Sequence, residues 1–116
     1  MIEPILYFYD NINRNAIAVK LRKPMVDWIN KLYPDSPVTE NEEGNIYLIH
    51  EKDYNAAIES WLKRNFNKIF ENELNDWHME EKNWPKKRTY KMFCEWFQYE
   101  IYPMVLDMEE TPIIKN

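Results

Sequence analysis

Residues 53–74 read DYNAAIESWLKRNFNKIFENEL. Ile58, Trp61, Leu62, Phe66, Ile69, Phe70 and Leu74 recur at spacings of three and four, the stripe of an amphipathic helix. The spacing predicts one continuous helix over residues 54–74 that buries Trp61, Leu62, Ile69 and Phe70. Asp53 stands where it can cap the first turn.

On either side of this helix the period changes. Ile46–Ile49 is apolar on both faces, as in an interior strand, and is expected at the centre of a sheet. Asn15–Leu21 alternates, with Ile17, Val19 and Leu21 on one face and Ala16, Ala18 and Lys20 on the other. Residues 5–9, Ile-Leu-Tyr-Phe-Tyr, read as a further short strand between Pro4 and the Asp10–Asn13 turn cluster. Pro24 suits a helix's first turn, where its missing N–H costs nothing. Met25, Trp28, Ile29 and Leu32 form that helix's stripe, and Pro34 ends it. The longest loop, residues 34–45, holds two prolines, four acids and the Gly44-Asn45 turn.

Beyond Leu74, a polar, tryptophan-bearing stretch through Pro85 has room for one helical turn. Thr89 can cap a last helix carrying Met92, Phe93, Trp96, Phe97 and Ile101. Tyr102–Met108 reads as a strand with Met104, Leu106 and Met108 on one face. The order ββαβααβ predicts an α+β domain. Its sheet has three or four strands, antiparallel or mixed, with about three helices mainly on one face.

Composition narrows the possible functions. The 116 residues fit a single domain, and 20 acids against 15 bases give a net charge of −5. Residues 35–60 alone carry −6, and no broad basic footprint for nucleic acid is present. No apolar run approaches the roughly 20 residues of a membrane helix. The first residues include an acid and no basic n-region, so a secretory signal is not expected. A lone cysteine, Cys94, rules out an internal disulfide and fits a reduced, cytoplasmic setting. Gly44 is the single glycine, so neither G-x-G-x-x-G nor a P-loop can be built. Five Trp, eight Tyr and five Phe can furnish an aromatic-rich core or line a partner surface.

Catalytic spacings are missing. His50 and His78 belong to no H-E-x-x-H pattern, and no metal or cofactor is expected. Cys94 falls mid-helix, where a thiol packs rather than reacts. Glu71/Glu73, Glu80/Glu81 and Glu109/Glu110 are adjacent or two apart, so on a helix they do not face each other. The stretch Trp84-Pro85-Lys86-Lys87-Arg88-Thr89 is more suggestive: three cations precede a helix start that already carries partial positive charge. An anion would relieve that crowding, with Trp84 as a wall and Lys86, Lys87, Arg88 and Thr89 as donors. The opposing reading pairs Arg88 internally, with Asp107 or an acid of the 40–43 loop.

Three patterns together carry a resemblance. They are N-R-x-A-I-x-V over residues 13–19, P-x-x-x-W-I-N over 24–30, and W-P-x-x-R-T-x-x-M-F-x-x-W-F over 84–97. This series resembles a group of small single-domain bacterial proteins of unknown function, over roughly residues 13–113. The resemblance implies a stand-alone cytoplasmic bacterial domain, with residues 1–11 as an N-terminal extension to a single domain spanning 1–116. It brings no activity, cofactor or catalytic residue.

The function expected is a non-enzymatic binding or regulatory module. It would act through an aromatic surface or the Trp84–Thr89 site on an unknown protein partner or a small anionic ligand, with no nucleic acid or membrane involved. The alternatives are a small enzyme with a site assembled from distant residues, and a homo-oligomer with its aromatic excess in the subunit interface.

Overall fold

A computed structural model describes residues 10–40 and 42–116. The strand expected at residues 5–9 lies outside the described residues. The elements are β1 (Asp10–Asn11), β2 (Arg14–Leu21), α1 (Lys23–Leu32), β3 (Glu43–His50), α2 (Asn55–Trp77), α3 (Tyr90–Trp96), β4 (Phe97–Tyr102) and β5 (Leu106–Asp107). A single 3-10 turn, Glu81–Asn83, interrupts the link between α2 and α3. The domain is α+β.

The main sheet is antiparallel in the order β3-β2-β4, and β1 and β5 form a separate two-stranded ribbon. The strand β2 is therefore central, and the Ile46–Ile49 strand is not. Tyr47 and Ile49 do point inward, opposite Ile17 and Asn15. Ile46 and Leu48, however, are 70% and 47% exposed on the other face. Apolar residues on both faces mark an interior strand only where both faces are covered, and here no described helix covers the second one.

The covered face carries Ile17, Val19 and Leu21 of β2 with Phe97 of β4, all buried. Against it pack Met25, Val26 and Ile29 of α1, Ile58, Leu62, Ile69, Phe70 and Leu74 of α2, and Phe93 of α3. The aromatic excess builds much of this core. Phe70 meets Phe97 edge to face at 5.2 Å, and Phe93 lies 5.3 Å from Phe97.

Helix α2 follows the expected stripe but runs on to Trp77, with Trp61 only half buried. Asp53 does not cap it: Tyr54 occupies the cap position, with no side-chain hydrogen bond. Thr89 does cap α3, its Oγ1 accepting from the Met92 N–H at 3.1 Å. That helix is shorter than its sequence suggests. From Phe97 the chain alternates Phe97, Tyr99, Ile101 against Gln98, Glu100, Tyr102, a period of two that suits a strand. The strand expected over Tyr102–Met108 is split: Tyr102 ends β4, paired with Ala16, and Leu106–Asp107 forms β5, paired with Asn11 and Asp10.

Asn15, buried in β2, ties the sheet ends together. Its Nδ2 donates to the Pro103 carbonyl and its Oδ1 accepts from the Lys52 N–H, both at 2.7 Å. The segments leaving β3 and β4 are thus held beside the start of the central strand.

Candidate functional site

The Trp84–Thr89 stretch forms a lock onto α2. Trp84 is buried, and its indole N–H donates to the His78 carbonyl at 2.7 Å. Arg88 lies over that ring at 5.9 Å, with its side chain 14% exposed. Its guanidinium donates to Glu71 Oε2 at 2.8 Å, Asn67 Oδ1 at 2.8 Å and the Pro85 carbonyl at 2.7 Å. Its acidic partner is therefore Glu71, not Asp107 or the 40–43 loop. Lys86 donates to the Lys82 carbonyl, and Lys87 is exposed. The structure brings Trp84 and Arg88 together and uses Thr89 as a helix cap; α3, at seven residues, is short.

The histidines and the thiol lie apart. Both ring nitrogens of His78 are engaged, Nδ1 with the Tyr33 hydroxyl at 2.7 Å and Nε2 with the Asn83 amide at 2.8 Å. His50 is exposed and Cys94 half-buried. Among the described residues, no three His, Cys, Asp or Glu side chains gather as a metal site would require.

Two concave features were not legible as sites. The first is small, about 200 Å³, lined by Gly44, Asn45, Glu73, Asp76 and Trp77. Glu73 is fully buried; its Oε2 accepts from Asn45 Nδ2 at 2.7 Å and from the Tyr47 hydroxyl. Asn45 Nδ2 also reaches Asp76 at 2.6 Å. Burial raises the Glu73 carboxyl above the ordinary range; the Tyr47 and Asn45 hydrogen bonds pull it back, and the Asp76 charge adds to the rise. Its Oε1 is buried with no hydrogen-bond partner and lies where a β-carbon on Gly44 would need to be. One signal did exist: Glu73 falls on the apolar stripe with Ile69, Phe70, Leu74 and Trp77, where an acid is out of place.

The second feature is a groove of about 590 Å³ on the face of the sheet that no described helix covers. Ala16 and Ala18 of the central strand form its floor. Ile46 and Leu48 of β3 wall one side, and Tyr102, Met104 and Leu106 the other. Small side chains on the middle strand and large ones on its neighbours make a trough of a sheet face. Lys20 and Glu100 add both signs of charge, and Gln98 a neutral amide. The sequence split β2 correctly into a large and a small face, but the small one read as mere exterior.

Comparison with protein-family models, with curated proteins and with solved structures finds no match to this chain.

Proposed function

We propose that this protein is a non-enzymatic binding module that takes an extended apolar segment of a protein partner into the groove on its open sheet face. The supporting observation is the groove itself: apolar walls over an alanine floor, on a face that no described helix covers. Scattered, isolated apolar residues are ordinary on a protein surface, whereas a contiguous concave patch marks an interaction site. Rim charges of both signs favour no strongly charged partner. The resemblance stated above adds a bacterial, cytoplasmic setting to this reading.

The Trp84–Thr89 stretch supports binding of an anion less well, because Arg88 is already held by Glu71, Asn67 and Pro85. An enzyme would draw on Glu73, the buried acid. Yet Tyr47 and Asn45 occupy its Oε2, and its Oε1 is closed off from solvent.

The test is a titration of isotope-labelled protein with an eight-residue peptide alternating Leu or Phe with Ser. Shifts should concentrate at Ala16, Ala18, Leu48 and Tyr102, and vanish in Ala18→Arg. Binding that persists in that variant, or maps to the helices, would refute the reading. Concentration-dependent dimerisation through these same residues would establish the homo-oligomer instead.

A further inference from the structure

Gly44 and Asn45 belong to both concavities. With Glu73 they line the small pocket, and with Val19 and Ile46 they line part of the groove. The atoms around Gly44 are the telling feature. The three nearest the point where its β-carbon would stand are Glu73 Oε1, the Val19 carbonyl oxygen at 2.9 Å and Glu73 Cδ, with no nitrogen among them. A carboxyl oxygen of α2 and a carbonyl oxygen of the central strand thus converge on one space that is closed to solvent. Two bare acceptors there repel, whereas a proton on Oε1 makes one of them a donor. A buried polar atom without a partner calls for such an account.

We infer that Glu73 is a proton-operated latch on the groove. With its proton in place it holds the Gly44–Asn45 stretch of β3 against α2 and the central strand, and its ionisation releases that stretch. The inference rests on the reading of the groove as a site for an extended apolar segment, and it adds the regulation of that site. The neutral acid suits its surroundings. Its Oε2 accepts from the Tyr47 hydroxyl and Asn45 Nδ2, and a proton on Oε1 faces the Val19 carbonyl. The ionised acid does not: among the described residues Glu73 joins no ion pair. The titratable groups facing it are the Tyr47 hydroxyl of β3 and the like charge of Asp76, nearly one turn further along α2. Lys20 of β2 lies on the other face, in the groove. Burial and Asp76 accordingly hold the carboxyl above its ordinary range, against the pull of the Tyr47 and Asn45 hydrogen bonds. The backbone can yield here, because the β2–β3 register slips between the Ala18–Ile46 and Lys20–Glu43 pairs. Movement of Gly44 and Asn45 alters the groove they line. A segment that fits the latched form binds less well as pH rises through the Glu73 pKa, and its binding raises that pKa in return.

The test titrates wild type and Glu73→Gln with the alternating Leu/Ser peptide from about pH 4 to 8. Glutamine copies the neutral acid, with an N–H for Val19 and an oxygen for Tyr47 and Asn45. Wild-type affinity should fall about tenfold across this range, while Glu73→Gln should keep the low-pH affinity throughout. Asp76→Asn, which removes the like charge, should move the midpoint of the fall to lower pH. Equal pH profiles in wild type and Glu73→Gln, or a midpoint unmoved by Asp76→Asn, would overturn the latch and leave partner binding standing. A second measurement needs no peptide. The amide signals of Gly44, Asn45 and Ala18 should titrate with one shared midpoint in wild type and stay fixed in Glu73→Gln. If they do so while no peptide binds at any pH, the latch stands and the groove loses its proposed occupant. If they do not, the latch fails whatever the peptide does.

Discussion

Glu73 fills the space that a β-carbon on Gly44 would need. A side chain at position 44 would also come within 2.9 Å of the Val19 carbonyl, a backbone atom of the central strand. Gly44 belongs to the stretch where the β2–β3 register slips, between the Ala18–Ile46 and Lys20–Glu43 pairs. That irregularity lets β3 approach α2 closely enough for Asn45 and Tyr47 to reach the Glu73 carboxylate.

Gly44→Ala should therefore destabilise the fold by about 1–3 kcal/mol, the usual cost of overpacking. The cost should shrink in a Glu73→Ala background, because the nearest obstacle is then gone. Denaturant midpoints of the four proteins in that cycle check this. An unchanged cost would put the obstacle in the Val19 backbone instead.

Glu73 also predicts a pH dependence. Its folded-state pKa is raised above 4.5, chiefly by burial. The folded protein thus holds this proton more tightly than the unfolded chain. That contribution is fully present below the ordinary carboxylate pKa and is lost as pH rises through the folded value. Wild type should lose stability relative to Glu73→Gln as pH climbs from about 4 toward neutrality. Parallel stability curves for the two proteins from pH 4 to 8 would refute the assignment.

Asn15→Ala should cost about 2 kcal/mol or more, since it leaves the Pro103 carbonyl and the Lys52 N–H without their partner. Hydrogen exchange should quicken at Lys52. A loss of stability without faster exchange there would place the damage elsewhere.

Phe70 is fully buried at the centre of the ring cluster. Phe70→Ala should cost about 3–5 kcal/mol by transfer and cavity terms together. A midpoint unchanged within error would exclude Phe70 from the core.

Arg88→Ala should lower stability by about 2 kcal/mol, through loss of its charged hydrogen bonds to Glu71, Asn67 and Pro85. Arg88→Lys should not restore it, because an ammonium cannot reproduce the planar fork. Added sulfate should stabilise wild type and Arg88→Ala by equal increments. A larger increment in wild type would bring back the anion site.

The helices and the central alternation were readable because each follows one strong period. The stripe of α2 and the two faces of β2 each place large apolar residues where burial demands them. Other boundaries resisted for identifiable reasons. Phe97 continues a helical stripe from Phe93 and Trp96 and also opens a strand, and only its pairing with Leu21 decides between them. The doubly apolar Ile46–Ile49 run cannot distinguish a face covered by helices from one that walls a trough. Glu73 and Asn45 belong to elements distant in sequence, so their meeting depends on the β3 register. Arg88 was visible as a cation short of a counter-charge, but Glu71 is one acid among twenty until the fold selects it.

The centre of the sheet also sets the order in which the protein can be made. β2 is synthesised well before β4, yet one of its edges pairs with that later strand: Leu21 with Phe97, and Ala16 with Tyr102. Until that distant strand is synthesised, Ile17 and Val19 have a neighbour on one side only. Pairings so remote in sequence slow folding and prolong the exposure of apolar strands to other chains. A nascent chain halted before Phe97 should therefore lack a completed sheet and be prone to aggregate, whereas a chain released with β4 intact can close it.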